Sequence, residues 1–163
     1  MDTFSCILKI LQGVSNAFLA PVIAIFGIYF AYHQHVIHKN KIKLDLYEKR
    51  YSIYIAIRDY LGDILRNGNT SIERATEFFI KTRDSLFLFD KEVYEHVERI
   101  YRESLDLWEL HEMIYPDDKS PGIQIGEERT NIVKKKSEKL KWLTSQSEKT
   151  QNMFKPYLTI IIH

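Results

Sequence analysis

The chain of 163 residues contains one cysteine, Cys6. An intrachain disulfide is therefore impossible, and a cysteine-based zinc cluster has no ligands to form from. Glycine and proline are scarce, six and four residues respectively. With so few breakers and no stretch alternating apolar and polar residues at the period of two, strands are not expected and an all-α fold is. A net charge of +1 selects no partner by charge. There is no internal repeat, no glycine-rich phosphate loop, no zinc-protease motif and no nucleophile elbow.

What the chain does have is a long apolar run at its start. From Leu11 to Tyr32 no side chain is charged, and about 20 helical residues at roughly 1.5 Å each cross the ~30 Å hydrocarbon core of a bilayer. A cleaved signal peptide would have a shorter apolar core and a small-residue cleavage site, whereas this run leads into "FAYHQHVIHK". A buried core helix rarely stays apolar on every face for this length. The reading is a transmembrane helix over 11–32. Lys9 precedes it, and Lys39, Lys41, Lys43, Lys49 and Arg50 follow it. Basic residues stay on the cytoplasmic side, so residues 1–10 are expected outside the inner membrane and 33–163 form a cytoplasmic helical domain.

Inside the span, Gly13, Ala17, Ala20, Ala24, Gly27 and Ala31 recur at spacings of four and three, a seam of small residues along one side. Lipid gives helices little hydrophobic reason to associate, so small residues that let backbones approach point to self-association. Gln12, Ser15 and Asn16 add polar groups that a neighbouring helix or a watery lumen would satisfy better than lipid. Pro21 frees a carbonyl one turn earlier, which neighbours or water can pair. Continued past Ala31, the spacing reaches His35 and His38, which places them at the cytoplasmic mouth of an assembly. His33, His35 and His38 lack a cysteine or carboxylate to complete a metal site. They read as interface histidines, and no metal or cofactor is expected.

No glycine or proline occurs between Gly27 and Gly62, so the helix should run unbroken into the next domain and end near "LRNGNTSIE". Asn67-Gly68-Asn69 supplies a turn there, and Thr70 to Glu73 matches a capping box. A second helix should run from Ser71 into "RDSLFLF". Asp90 caps a third, whose stripe is Val93, Val97, Ile100, Ser104, Leu107, His111 and Ile114. "YPDDKSPG" reads as a loop. A last helix starts at Ile125 or Glu127, places Val133, Leu140 and Leu143 on one side and should stop at Pro156.

Chemistry is thin in this part. His111 lies on the stripe and reads as a hydrogen-bonded core residue with Ser104 as its partner. Lys134, Lys135 and Lys136, with Lys139 and Lys141, read as a solvated face rather than a surface for RNA or lipid headgroups, so direct nucleic-acid binding is not expected. A ribonuclease of the HEPN class uses an arginine and a histidine with four to six residues between them, which sets the arginine five to seven positions before the histidine. The positions five to seven before His96 are Lys91, Asp90 and Phe89, and before His111 they are Asp106, Leu105 and Ser104. Arg102 and His111 are too far apart.

At "KIKLDLYEKRYSIYIAIRDYL", "SLFLFDKEVYEHVERIY" and "FKPYL" the chain resembles the accessory membrane proteins of type VI-B CRISPR systems, which work beside an RNA-guided RNA-cleaving nuclease. The resemblance implies a degenerate HEPN-like cytoplasmic domain and a homo-oligomeric pore in the bacterial inner membrane that weakens the bilayer during phage infection. It carries no catalytic residue over to this chain. Two other readings stay open: a membrane-tethered ribonuclease using Arg102 and His111, and an anchored scaffold without transport.

Overall fold

The computed structural model describes residues 2–116 and 122–159, with side chains from position 21 onward. All secondary structure among them is helical: α1 (Asp2–Asn67), α2 (Ile72–Thr82), α3 (Ser85–Leu88), α4 (Lys91–Ile114) and α5 (Glu127–Leu158). The chain divides into two compact units, Met1–Asp45 and Leu46–His163. α1 is unbroken over the stretch that lacks glycine and proline, and Pro21 lies inside it.

The first unit is α1 alone. Every described side chain in it, from position 21 to 45, is exposed. The second unit holds the core. Ile53, Ile57, Tyr60, Leu61 and Ile64 form the buried stripe of its first helix, and they meet Phe78, Val93, Val97, Ile100, Leu107, Leu143 and Phe154 from the others. Tyr60 and Phe78 stack with ring centroids 4.4 Å apart. An ion pair between Arg74 and Asp63 joins α2 to the end of α1.

Local chemistry explains each boundary. Asn67 ends α1 because Gly68 takes φ +64°, and its N–H donates to the Ile64 carbonyl at 2.9 Å, a left-handed cap that closes the last turn. The capping side chain of α2 is Ser71, one residue later than expected, accepting from Arg74 N at 3.3 Å. Thr70 is instead buried, its hydroxyl 3.2 Å from the Tyr60 hydroxyl. The expected single helix through "RDSLFLF" is two, because Thr82, Asp84 and Ser85 have weak helix preference and the chain turns at Arg83 and Asp84. Asp90 caps α4 as expected, accepting from Val93 N at 3.0 Å.

Two expectations for α5 fail. Pro156 does not stop the helix, which runs on to Leu158. Its last turn is pinned, because the Tyr157 hydroxyl donates to Asp90 Oδ2 at 2.5 Å and the Tyr157 ring lies 5.1 Å from Phe89. Val133 is 46% exposed, whereas Leu143 is buried as expected and Leu140 partly so. The stripe that α5 turns inward includes Gln146, Thr150 and Phe154. Most of the "YPDDKSPG" loop lies outside the described residues.

Candidate functional site

In the first unit the large apolar side chains from Val22 to Tyr32 are exposed by 49% to 72%. Consecutive residues step about 100° around a helix, so positions 22, 23, 25, 26, 28, 29, 30 and 32 cover about 220° of its circumference, and the small Ala24, Gly27 and Ala31 fill the remaining arc of about 140°. Among the described residues no helix is long and apolar enough to cross a membrane. The expected span 11–32 has only its second half within the described side chains, and twelve residues reach about 18 Å. Gly13, Asn16, Ala17 and Ala20 of the expected seam lie outside the described side chains. Ala24, Gly27 and Ala31 are exposed. A methyl group added at Gly27 would meet nothing within 4 Å.

His35 and His38 are exposed one helical turn apart, and the four-three spacing sets them on the side of Ala31. His33 belongs to an aromatic group, its ring 4.4 Å from Tyr29 and 6.2 Å from Tyr32. No three His, Cys, Asp or Glu side chains among the described residues are placed to hold a metal ion.

In the second unit, α4 and α5 carry the ionisable clusters. His111 does not pair with Ser104. Its Nδ1 lies 2.6 Å from the Lys136 ammonium, while the Ser104 hydroxyl donates to the Tyr101 carbonyl at 2.7 Å. Lys136 therefore leaves the solvated face expected of it, and its ammonium sits 5.6 Å from the centre of the Tyr115 ring, which Arg129 also approaches at 5.8 Å. Burial lowers the His111 pKa, and Lys136 lowers it further; burial likewise lowers that of Lys136. A neutral imidazole accepting from an ammonium is the arrangement these shifts favour. Lys139 also turns inward, to Glu103 at 2.5 Å and Asp106 at 2.7 Å. Burial works against its charge, but the two carboxylates outweigh it and its pKa is raised.

Arg102 pairs with Glu98 on its own helix at 3.6 Å. His111 is nine positions further on, about 900° of helix or two and a half turns, which sets the two on opposite faces of α4. They form no joint site. The histidine that is buried is His96, three residues after Val93 and four before Ile100, so the same spacing that defines the stripe would have found it. Its Nε2 lies 2.9 Å from the Thr150 hydroxyl of α5. Burial first, then Lys149 and Arg99, lowers its pKa to about 4, so it is neutral at physiological pH.

These clusters tie helices together; none sets a nucleophile against a base beside a pocket. Comparison with known proteins adds nothing to this chemistry: no protein-family model, curated protein or solved structure matches the chain.

Proposed function

We propose that the chain is a non-enzymatic, homo-oligomeric inner-membrane protein whose spans line a pore, with its helical domain in the cytoplasm assembling and gating it. The observation that carries this reading is the fully exposed apolar circumference of α1 between Val22 and Tyr32. Leaving a large apolar side chain in water rather than burying it costs roughly 1.5–3 kcal/mol. A helix apolar on all sides and exposed along its described length calls for lipid, for copies of itself, or for both.

The small-residue seam and the polar Gln12, Ser15 and Asn16 favour helix contacts over a bare lipid anchor. Tyr29, Tyr32 and His33 suit the headgroup level. The resemblance to type VI-B accessory proteins supplies the setting, antiviral defence beside an RNA-guided nuclease, and the HEPN-like character of the domain. The opposed faces of Arg102 and His111 weigh against the ribonuclease reading.

Purified protein in liposomes is expected to pass ions. In that pore His35 and His38 stand at the cytoplasmic mouth, one helical turn apart and exposed. The His35→Ala, His38→Ala double variant should change the rate of cation flux without abolishing it, because the side chains lining a mouth set its width and polarity. Inserted oligomers that pass no ions would overturn the pore and leave the scaffold reading. An unchanged flux in the double variant would overturn only the histidine mouth.

A further inference from the structure

Between Thr3 and Leu44 the chain contains no aspartate or glutamate, and the first carboxylate after Asp2 is Asp45. Lys39, Lys41 and Lys43 lie at the end of that stretch, all exposed on α1. The ion pairs among the described residues all involve positions from Arg58 onward, so none engages these lysines, not even Lys41 with Asp45 four residues on. Lys39 and Lys43 are one helical turn apart, a spacing at which like charges repel. Asp45 stands about 120° around the helix from Lys39 and about 160° from Lys43, on another face.

Three unpaired cations within five residues call for an anion from outside the chain, and their arrangement says which kind. Lys41 is about 160° around the helix from both of the others, so the charges surround α1 instead of forming one stripe. A nucleic acid is met by a basic patch on one face. Headgroups surround an emerging helix on every side. Val36, Ile37, Ile42 and Leu44 are exposed among the lysines, and the boundary between headgroups and acyl chains accepts such apolar side chains together with basic ones. The distances along the helix agree. Lys39 is seven residues beyond Tyr32, about 10 Å, and Lys43 eleven residues, about 16 Å. The headgroup layer adds about 5–8 Å to each side of the hydrocarbon core, and the field of an anionic surface persists for a further ~8 Å. Lys39 and Lys41 fall inside that zone, with Lys43 at its edge.

We propose that Lys39, Lys41 and Lys43 bind the headgroups of anionic phospholipids in the cytoplasmic leaflet. The proposal rests on the membrane reading of residues 11–32 and deepens it, because copies of α1 brought together in an oligomer would also bring these cations together. Bound headgroups offset that repulsion and fix the depth of the helix.

Full-length protein is reconstituted into phosphatidylcholine vesicles carrying a trace of spin-labelled phosphatidylglycerol or, separately, spin-labelled phosphatidylcholine. Electron spin resonance then gives the share of each label that the protein immobilises. At about 0.1 M salt phosphatidylglycerol should be held about fivefold more strongly, the attraction that one lysine near an anionic headgroup supplies. At about 1 M salt the screening length falls to ~3 Å and the two lipids should reach parity. The Lys39→Gln, Lys41→Gln, Lys43→Gln variant should give parity at low salt, while Lys39→Arg, Lys41→Arg, Lys43→Arg keeps the preference. Lys134→Gln, Lys135→Gln, Lys141→Gln removes the same charge from exposed positions of α5 and should also keep it. An unchanged preference in the first variant, or an equal loss in the α5 variant, would overturn the proposal. If the first variant kept its preference but lost affinity for polyuridine RNA, the lysines would belong to a nucleic acid. Immobilisation of neither lipid would overturn the membrane reading itself.

Discussion

His96 shows how one buried ionisable side chain couples the domain to pH. Its imidazole is held against Thr150 where α4 meets α5, with Lys149 and Arg99 close enough to oppose a second proton. An unfolded histidine titrates near pH 6.5, and the folded one near 4. Between those values the unfolded chain binds a proton that the native one refuses, so stability is fully present above about pH 6.5 and declines as pH falls toward 4. The loss is at most about 3.5 kcal/mol, from roughly 1.4 kcal/mol per pKa unit. Denaturant unfolding followed by tryptophan fluorescence, at pH values across this window, should show the decline in the native chain and a flatter profile in His96→Gln. Equal slopes would show that other groups carry the acid sensitivity. Lys136 teaches a different lesson at the same scale. In a run of three lysines, sequence offers no means of telling the one that turns to His111 from the two that face water.

At the level of elements, the helices were legible where periodicity and caps agreed. α4 has both: an aspartate cap at Asp90 and a stripe in which Val93, Val97, Ile100, Ser104, Leu107 and Ile114 are all buried. α5 was misjudged because its inward stripe includes Gln146 and Thr150, which apolar spacing does not register, and because a tertiary contact at Tyr157 carries the helix past Pro156. The junction between α1 and α2 permits a paired test. Gly62 is inside a helix with nothing within 4 Å of an added methyl group, whereas Gly68 adopts φ +64°. Gly62→Ala is expected to stabilise the domain by about 0.5–1 kcal/mol through helix propensity. Gly68→Ala should destabilise it by about 1 kcal/mol, because a side chain in the left-handed region is strained. The two unfolding midpoints should move in opposite directions. Movement in the same direction would mean that α1 does not end at Asn67.

For the whole molecule, sequence indicated a long apolar helix over 11–32, of which the described side chains from Val22 to Tyr32 are exposed. What covers that helix was not legible, since lipid and a neighbouring copy both accept the same residues. The seam discriminates between them. Ala24, Gly27 and Ala31 are exposed, and a side chain at Gly27 has open space around it within one chain. A leucine there should therefore leave the fold of a single copy intact and keep the helix apolar enough to insert. Against a second helix it would push the backbones apart, because close approach depends on the small residue. Chemical crosslinking in membranes is expected to give a ladder of oligomers for the native chain and a shortened one for Ala24→Leu and Gly27→Leu. Ile28→Leu, a substitution outside the seam on a side chain 72% exposed, serves as the control and should leave the ladder intact. If both seam variants crosslink like the native chain, the small residues are not the contact, and assembly would have to rest on another face of α1 or on the helical domain.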